Sequence, residues 1–457
     1  MAYSPKIVVL DDDPTGSQTV HSCLLLLQWD VATLCQGLLD PSPLLFILTN
    51  TRARSAAEAA QVTREVCRNL NMAMAQVQST ADGTDRSKSY LIVSRSDSTL
   101  RGHYPLETDV ITAELGPFDA QFLVPAFLEG GRITQNGMHY IQSQDRMIPV
   151  HQTEFAQDPI FGYQHSFLPD YIAEKTEGRV SASQVLQFSV NQTAIEDLNP
   201  LMSLQGNQYT VVDAVHQADL DQFAQWVFAA SAQGKRFLFR SAASLLTALA
   251  NLPPQPIPAG EMGKTVQSDH PGVFIIGSYV QKTTAQLSAL LALPQIEGIE
   301  LNLTPLQENE VDTHHVKTQV LAQIDAIFRH HHTPVIYTSR QPLNFTNLAE
   351  RLRFSTQVAN LLADIVQQLP TDLGYLVSKG GMTSNILLSR GLNLSSVQLL
   401  GQILPGCCVV QTSLGHNFPQ LPVVLFPGNV GQTPDLVKVY QCLSRRLDRN
   451  NGSEGAG

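Results

Sequence analysis

The sequence predicts an α/β protein made of two three-layer domains, each built on a mainly parallel sheet. Short apolar or β-branched runs alternate with amphipathic helical stretches along most of the chain, which is the pattern of parallel βα units. A proline-rich stretch interrupts this alternation past the middle of the chain, and the alternation resumes after it. The length of 457 residues is also two to three times that of one typical domain.

Predicted strands of the first half occupy residues 6–10, 44–49, 90–94, 121–124 and 210–213. Helical stretches, such as residues 55–71, lie between consecutive strands. Between residues 130 and 179 the sequence becomes rich in Gly, Pro and aromatic residues, which favours hairpins and loops over another βα unit. We therefore expect an insertion there, close to the ligand cleft.

The domain boundary is predicted from residues 252–272, which begin Leu-Pro-Pro-Gln-Pro-Ile-Pro and show no apolar period. We expect an N-terminal domain at residues 1–252, a linker at 253–271 and a C-terminal domain at 272–457. Strands of the second domain are predicted at residues 273–277, 299–302, 334–338 and 375–378. Its helices are predicted at 282–292, 307–330 and before residue 368.

Composition and charge exclude several classes of protein. Hydrophobic residues make up 43% and charged residues 15% of the chain, which excludes a mainly disordered protein. The 29 basic against 40 acidic residues give a net charge of −11, so nothing favours binding to nucleic acid or to an anionic membrane. No apolar stretch approaches the roughly 20 residues of a membrane span. The N-terminus resembles neither a secretory signal nor a transit peptide, which predicts a cytoplasmic protein.

Three consecutive carboxylates, Asp11, Asp12 and Asp13, follow the first predicted strand and precede Pro-Thr-Gly. The carboxyl ends of strands in an open α/β sheet face the ligand crevice, so we expect these acids at the site of chemistry. Adjacent like charges are unfavourable unless cations or hydroxyl groups bind them. A solvated turn that starts a helix is the structural alternative.

The spacing Asp11-x-Asp13-x-Thr15 also matches the first motif of haloacid-dehalogenase-like phosphotransferases, with Asp11 as nucleophile and Asp13 as acid/base. The later Gly-Asp pair of that superfamily is missing from the sequence. A phosphatase of this kind stays an alternative, as does a non-catalytic protein that binds sugar acids.

A second polar segment, residues 94–104, follows the strand at 90–94. Arg95 and Arg101 can hold a carboxylate with paired N–H groups, while Asp97, Ser98 and Thr99 can meet sugar hydroxyl groups. These residue types predict a site for a small anionic molecule rich in hydroxyl groups. Helix caps with an ordinary Asp97–Arg101 ion pair are the alternative.

In the second half, Gly380-Gly381-Met382-Thr383 follows the strand at 375–378 and opens a helix. Adjacent glycines let backbone N–H groups approach phosphates, and the Thr383 hydroxyl can bind phosphate or metal-bound water. Ser278 and Gly428 lie at two further strand ends with small residues. Together these turns predict a nucleotide-phosphate site, although a tight βα turn without a ligand also explains a single Gly-Gly pair.

Three motifs together resemble the four-carbon acid sugar kinase family, and the resemblance spans roughly residues 6–447. They are Asp-Asp-Asp-Pro-Thr-Gly-Ser-Gln-Thr-Val-His at 11–21, Arg-Ser-Asp-Ser-Thr-Leu-Arg-Gly-His-Tyr-Pro-Leu-Glu at 95–107, and Ser-Lys-Gly-Gly-Met-Thr-Ser-Asn at 378–385. The resemblance implies an ATP-dependent kinase of tetronates or 3-oxo-tetronates, with an acid-sugar domain followed by a nucleotide domain. Many members read Ala-Asp-Asp where this chain has Asp11-Asp12-Asp13, and Lys where it has Arg95, and these departures lie on the sugar side.

The resemblance also carries over site residues by position. Sugar-side motifs match Asp12, Asp13, Arg95, Asp97, Ser98, Thr99 and Arg101. Nucleotide-side motifs match Ser278, Gly380, Gly381, Met382, Thr383 and Gly428. The expected cofactors are ATP and Mg²⁺, with no dedicated metal-ligand residues.

We expect the active site in a cleft between the two domains, because a kinase needs only to position and neutralise its two substrates. In that arrangement Arg95 and Arg101 bind the acceptor's carboxylate, and Asp12 or Asp13 accepts the hydroxyl proton. The sequence leaves open which aspartate does so, which acid and hydroxyl react, and whether the chain forms a homodimer.

Overall fold

The computed structural model describes residues 5–17, 19–79, 90–143, 146–190, 198–278, 280–307, 312–340 and 348–451. By its internal contacts the chain divides into two units, Met1–Pro253 and Pro254–Gly457. Gln18, within the first motif, and residues 308–311 of the helix predicted at 307–330 lie outside the described residues.

The strands of the first unit are β1 (Lys6–Asp11), β2 (Cys23–Leu26), β3 (Leu44–Leu48), β4 (Tyr90–Arg95), β5 (Ala120–Val124), β6 (Arg132–Gln135), β7 (Met138–Ser143), β8 (Arg146–Pro149), β9 (Leu186–Phe188), β10 (Gln208–Val212) and β11 (Phe237–Ser241). Its helices are α1 (Val31–Leu39), α2 (Ala56–Ser79), α3 (Leu106–Leu115), α4 (Leu168–Lys175), α5 (Asn199–Met202), α6 (Gln217–Ala232) and α7 (Ala243–Ala250).

The main sheet of the first unit has the order β2-β3-β1-β4-β11-β5-β10-β9, and all its pairs are parallel. The chain passes from β1 to β3 on one side and then to β4 on the other. This reversal between β1 and β4 is a topological switch point, where open α/β sheets bind ligands beyond the carboxyl ends of their strands. The sheet thus brings the first two polar motifs to one crevice.

Helices cover both faces of this sheet. On one face, α1, α2 and α3 pack against alternate residues of β1, β3 and β4, with Val66 and Ile111 fully buried. On the other face, α6 contributes Phe223 to an aromatic cluster around Phe122, with ring centroids 5.1 Å apart. A strand that is apolar on both faces needs such double cover, which explains the continuous apolar sequence of β1 and β3.

The predicted insertion lies between β5 and β9, and we define it as residues 128–185. It contains an antiparallel sheet of β6, β7 and β8, several 3₁₀ turns and α4. Its buried aromatic residues Tyr163 and Tyr171 pack with Leu100 and Tyr104 of the second motif. The insertion therefore covers the loop that follows β4.

The strands of the second unit are β12 (Val273–Ile276), β13 (Ile296–Leu301), β14 (Thr333–Thr338), β15 (Leu376–Lys379), β16 (Ser396–Leu404), β17 (Cys407–Gln411) and β18 (Pro422–Phe426). Its helices are α8 (Gln281–Leu291), α9 (Thr304–Gln307), α10 (Thr313–Arg329), α11 (Leu348–Val366), α12 (Gly381–Ile386) and α13 (Asp435–Asn451).

The sheet of the second unit has the order β13-β14-β12-β15-β18-β17-β16. Five strands, β13, β14, β12, β15 and β18, are parallel to one another, and β17 runs antiparallel to both of its neighbours. The order reverses between β12 and β15, which creates a second switch point. Buried residues of α8 and α13, such as Leu290 and Leu436, pack on one face of this sheet.

The predicted α/β class with mainly parallel sheets is confirmed. The sequence analysis missed β2, β9 and β11 in the first unit and the β16–β17 hairpin in the second. In β11 the apolar run is only three residues long before Arg240. In the described part of the chain, no helix is long and apolar enough to cross a membrane.

Candidate active site

Asp12 lies at the carboxyl end of β1 and is held by two neighbouring side chains. Arg52, in the 3₁₀ turn after β3, donates from Nη2 (2.5 Å) and Nε (3.2 Å) to the two carboxylate oxygens. Ser96 Oγ donates to Oδ2 at 2.5 Å. Burial favours a higher pKa for Asp12, but the guanidinium groups of Arg52, Arg240 and Arg95 outweigh it and lower the pKa. Asp12 is therefore a fixed anion, with only 1% of its surface exposed.

Asp13 is the most exposed of the three acids, with 21% of its side chain accessible. Its Oδ1 accepts hydrogen bonds from the backbone N (2.8 Å) and the hydroxyl of Thr15. Its Oδ2 lies 3.4 Å from Nη1 of Arg52. Arg52 thus bridges Asp12 and Asp13, and the Asp13 carboxylate is the one that a ligand can reach.

Asp11 is buried beside Arg95. Its Oδ1 accepts from Nη1 of Arg95 at 3.4 Å, and its Oδ2 has no hydrogen-bond partner among the described residues. Burial raises the pKa of Asp11 to about 7, although Arg95 opposes this shift. A Cβ atom at Gly16 would lie 2.1 Å from Oδ2, so only glycine fits there. Arg95, expected to bind a substrate carboxylate, is directed to Asp11 instead, and its side chain is 6% exposed.

The loop after β4 presents Asp97 and Arg101 together. Arg101 Nε donates to Asp97 Oδ2 at 2.7 Å, and its guanidinium lies 4.9 Å from the ring centre of Phe155 in the insertion. The Thr99 hydroxyl donates to the same carboxylate, while Ser98 is half-buried beside it. Burial favours a raised pKa for Asp97, but the guanidinium groups of Arg101 and Arg52 hold it well below the usual range. The side chain of Arg101 remains 23% exposed and supplies the accessible cation of this loop.

Arg240, at the end of β11, binds buried side chains beside this crevice. Its Nη1 donates to Ser94 Oγ and Glu107 Oε2, and its Nη2 donates to Ser96 Oγ, each at 2.7 Å. Ser96 in turn donates to Asp12, so a continuous chain of hydrogen bonds links Glu107 to the first motif. A narrow cleft opens beside these residues and is lined by Asp97, Arg101, Tyr104, Tyr171 and Arg240.

In the second unit, the small residues at three strand ends converge. A Cβ atom at Gly428 would lie 2.8 Å from Ser278 Oγ, and one at Gly380 would lie 3.2 Å from Ser278 Cβ and 3.4 Å from Thr383 Oγ1. Gly380 has a φ of +115°, which non-glycine residues rarely adopt. These close approaches bring together the carboxyl ends of β12, β15 and β18. Gly381 and Met382 continue the turn into α12, and Met382 is 47% exposed.

Lys379 is fully buried under this turn. Its Nζ donates to the carbonyl of Pro427 at 2.6 Å and lies 3.4 Å from the carbonyls of Gly428 and Val430. Its Nζ also lies 3.9 Å from the ring centre of Phe426. Burial lowers the pKa of Lys379 to about 7. Lys379 therefore fixes residues 427–430, which carry Gly428.

The structure brings together the expected residues of each half within its own unit. The sequence analysis did not single out Arg52, Arg240 or Lys379. Each follows or ends an apolar strand, and polar residues at strand ends were the signal that could have found them. Within the described residues, no group of three His, Cys, Asp or Glu side chains could hold a metal ion.

The two switch points define a two-domain α/β protein with one crevice of acids and guanidinium groups and another of glycine turns. The first crevice suits a small polar anion, and the second suits phosphate groups. Comparisons with known proteins agree with this division. Residues 7–249 match a family described as a sugar-binding N-terminal domain, and residues 273–435 match a nucleotide-binding C-terminal domain.

Two curated relatives align over almost the whole chain. A D-erythronate kinase from Heliobacterium modesticaldum is 26% identical over 452 residues, covering 94% of each chain. A D-threonate kinase from Bordetella bronchiseptica is 26% identical over 456 residues, covering 97% of this chain and 98% of the relative.

Two solved structures share the fold. A Haemophilus influenzae protein has a TM-score of 0.62 at 16% identity and covers 96% of this chain and 100% of its own. A protein described as a putative tRNA synthase from Salmonella typhimurium has a TM-score of 0.63 at 16% identity, covering 95% of this chain and 98% of its own.

The chain belongs to the four-carbon acid sugar kinase family, with its sugar-binding and nucleotide-binding domains in that order. The family predicted from the three motifs is thereby confirmed, and with it membership of a kinase family rather than the phosphatase or non-catalytic alternatives. The individual site residues, the domain limits and the interdomain cleft stay predictions.

Proposed function

We propose that this protein is an ATP-dependent kinase that transfers the γ-phosphoryl group to a hydroxyl of a four-carbon acid sugar, such as a tetronate or a 3-oxo-tetronate. The observation that carries the proposal is that an accessible carboxylate, Asp13, and an accessible cation, Arg101, follow the carboxyl ends of the neighbouring strands β1 and β4 in the sugar-binding unit. An acid sugar needs a cation for its carboxylate and an acceptor for its hydroxyl proton. Both curated relatives carry the names of kinases of four-carbon acids.

The acid-sugar half of the proposal rests on Arg101. Its Nε is bound to Asp97, and its plane lies against Phe155, so the side chain is oriented before a ligand arrives. A guanidinium held in this way can bind a carboxylate through its remaining N–H groups. Arg95 is unsuited to direct contact because its exposed fraction is small and it donates to Asp11. We propose that Arg95 instead stabilises the turn that carries Asp11, Asp12 and Asp13.

The proton acceptor is assigned to Asp13. Asp12 binds Arg52 through both oxygens and is 1% exposed, which suits a residue that holds the cation in place. Asp13 also interacts with Arg52, whose Nη1 lies 3.4 Å from its Oδ2, but its carboxylate remains accessible. In the proposed step, the O–P bond to the leaving ADP breaks and a new O–P bond forms to the acceptor oxygen. The hydroxyl proton passes to Asp13.

The nucleotide half rests on Ser278, Gly380, Thr383 and Gly428. The glycines at positions 380 and 428 let the three strand ends approach one another closely, which fits a turn that binds the phosphates of ATP. Bound Mg²⁺ would neutralise phosphate charge and would be held chiefly by phosphate oxygens and water, while Thr383, only 6% exposed, would support the turn beside Gly380. The predicted meeting of both halves in an interdomain cleft is part of the proposal.

A coupled assay of ADP release with ATP, Mg²⁺ and a panel of four-carbon acids tests the function. Release with one acid and little without it supports the kinase. Release of inorganic phosphate from phosphorylated acids in the absence of ATP would instead support a phosphatase. Tight binding of an acid without turnover would support a non-catalytic protein.

A matched pair of variants tests the assignment of the base. Asp13→Asn should lower kcat by at least about 100-fold, the contribution of a general base, while ATP and acid still bind. Asp12→Asn releases Arg52, so we expect it to weaken acid binding and thermal stability as well. A kcat of Asp13→Asn within threefold of the wild type refutes the assignment.

A further inference from the structure

Three consecutive backbone carbonyls of the acid-sugar loop, those of residues 98–100, are each bound by a side chain of the insertion. They accept, in order, from His139 Nε2 at 2.8 Å, Tyr163 Oη at 2.7 Å and Tyr171 Oη at 2.9 Å. All three donors are buried, with exposed fractions of 0%, 5% and 2%. The loop is therefore held on one side by elements that contribute no strand to the main sheet.

The loop needs this support because its backbone is strained. Leu100 has a φ of +66°, in the left-handed region that non-glycine residues seldom adopt. Such a conformation is unfavourable and persists only where the surroundings determine it strongly. The hydrogen bond from Tyr171 ends on Leu100 itself. Leu100 directly precedes Arg101, so its backbone conformation sets the direction in which Arg101 leaves the loop.

The three donors keep their protons across the physiological range. Burial raises the pKa of Tyr163 and Tyr171 further above that of an exposed tyrosine. Burial lowers the pKa of His139 to about 4, so its ring is neutral. The Nδ1 atom of His139 lies 3.0 Å from the hydroxyl of Thr134, which can donate to it and leave the proton on Nε2 for the loop. The hydrogen bonds to the loop are therefore permanent rather than switched by pH.

We infer that His139, Tyr163 and Tyr171 are positioning residues for the acid sugar: they fix residues 98–100 in the strained conformation that presents Asp97 and Arg101. This inference rests on the proposed function for its kinetic consequence. It assigns to the insertion a role in acid-sugar affinity, and it predicts no effect on the nucleotide. Phe155, which lies against Arg101, belongs to the same insertion and acts in the same direction.

The test compares Tyr171→Phe with Tyr140→Phe. Tyr140 is half-buried on β7 of the same insertion, and among the described residues it donates to none of the three carbonyls. Loss of the Tyr171 hydroxyl leaves a buried carbonyl unpaired, so the KM for the acid should rise about tenfold. The KM for ATP and kcat should stay within twofold of the wild type, and Tyr140→Phe should change neither. Tyr163→Phe provides a second, independent removal of a donor.

Amide hydrogen exchange of residues 97–102 gives a readout that needs no turnover. We expect faster exchange in Tyr171→Phe and Tyr163→Phe than in the wild type and Tyr140→Phe. If no acid supports ADP release by the wild type, the proposed function fails while the exchange experiment still tests the positioning. Unchanged exchange in both variants, or an equal rise of KM for ATP and the acid, overturns the inference.

Discussion

Replacing Lys379, the buried lysine beneath the turn that contains Gly380, should weaken ATP binding without changing the affinity for the acid sugar. In Lys379→Met the side chain keeps its length and its contact with Phe426 but loses the three N–H groups that face residues 427–430. Within the described part of the chain, the side-chain hydrogen bonds that remain to this segment come from Thr283, bound to Gly428 at 2.9 Å, and from Gln286.

The magnitude follows from the geometry of the three contacts. Below pH 7, where Lys379 is protonated, a hydrogen bond from its ammonium group contributes about 1.5–3 kcal/mol, and only the contact with Pro427, at 2.6 Å, is short enough for that. The two contacts at 3.4 Å are weak. ATP binding is expected to require residues 427–430 in this conformation. A loss of about 2 kcal/mol in the free energy that holds them there then corresponds to a roughly 30-fold higher Kd for ATP.

Isothermal titration of ATP into the wild type and Lys379→Met measures this difference directly. Lys438→Met is the matched control, because it makes the same change at an exposed lysine on α13. A Kd for ATP within threefold of the wild type would refute the role of Lys379. So would a parallel loss of affinity for the acid, since that would indicate damage to the whole chain.

The pH dependence of stability provides a second check on the same residue. The pKa of Lys379 is lowered from 10.5 to about 7, so between these values the unfolded chain binds a proton that the folded chain lacks. The contribution of this group to stability is therefore present above pH 10.5 and is lost as the pH falls towards 7. Relative to Lys379→Met, the free energy of unfolding of the wild type should rise between pH 7 and 10. A constant difference over this range would contradict the lowered pKa.

Three further predictions concern the sugar-binding unit. Arg101→Ala should raise the KM for the acid about 10- to 100-fold, the value of a charge-assisted hydrogen bond, and a weaker Kd for ATP instead would reverse the assignment of the two domains. The pKa of Asp11 is raised from 3.8 to about 7, so the wild type loses stability as the pH rises between these values. Asp11→Asn has no carboxyl group to ionise and should not show this loss. Its free energy of unfolding should therefore gain about 3 kcal/mol relative to the wild type from pH 5 to 8, measured by chemical unfolding. Arg240→Met leaves Glu107 buried without its cation and should cost about 3–5 kcal/mol in urea unfolding, whereas Arg68→Met, at an exposed ion pair, should cost less than about 1 kcal/mol.

The strand ends that carry the candidate site could be predicted from the sequence alone. Asp11 to Asp13 follow a run of apolar residues, and Gly380 follows another, so local pattern and topology agree there. The partners of these residues could not be predicted, because they come from distant parts of the chain. Arg240 meets Ser94 across 146 positions of sequence, through the pairing of β11 with β4. No local pattern encodes that pairing.

Arg95 shows that residue type alone does not reveal which partner a charged side chain binds. Its residue type and its place after a strand suit the binding of an anion, and only the path of the side chain shows that the anion it meets is Asp11. Likewise, the Gly- and Pro-rich composition of residues 130–179 indicated an insertion but not which loop it would hold. Those contacts depend on long-range packing around Leu100 and Tyr171.

The insertion leaves the main sheet after β5 and rejoins it at β9, so it can be exchanged without changing the carboxyl ends of β1 and β4. A chimera that receives residues 128–185 from a relative with another preferred acid would inherit new donors to the Ser98–Leu100 backbone and a new neighbour for Arg101. Selectivity could then diversify in this segment while the phosphoryl-transfer chemistry is conserved elsewhere.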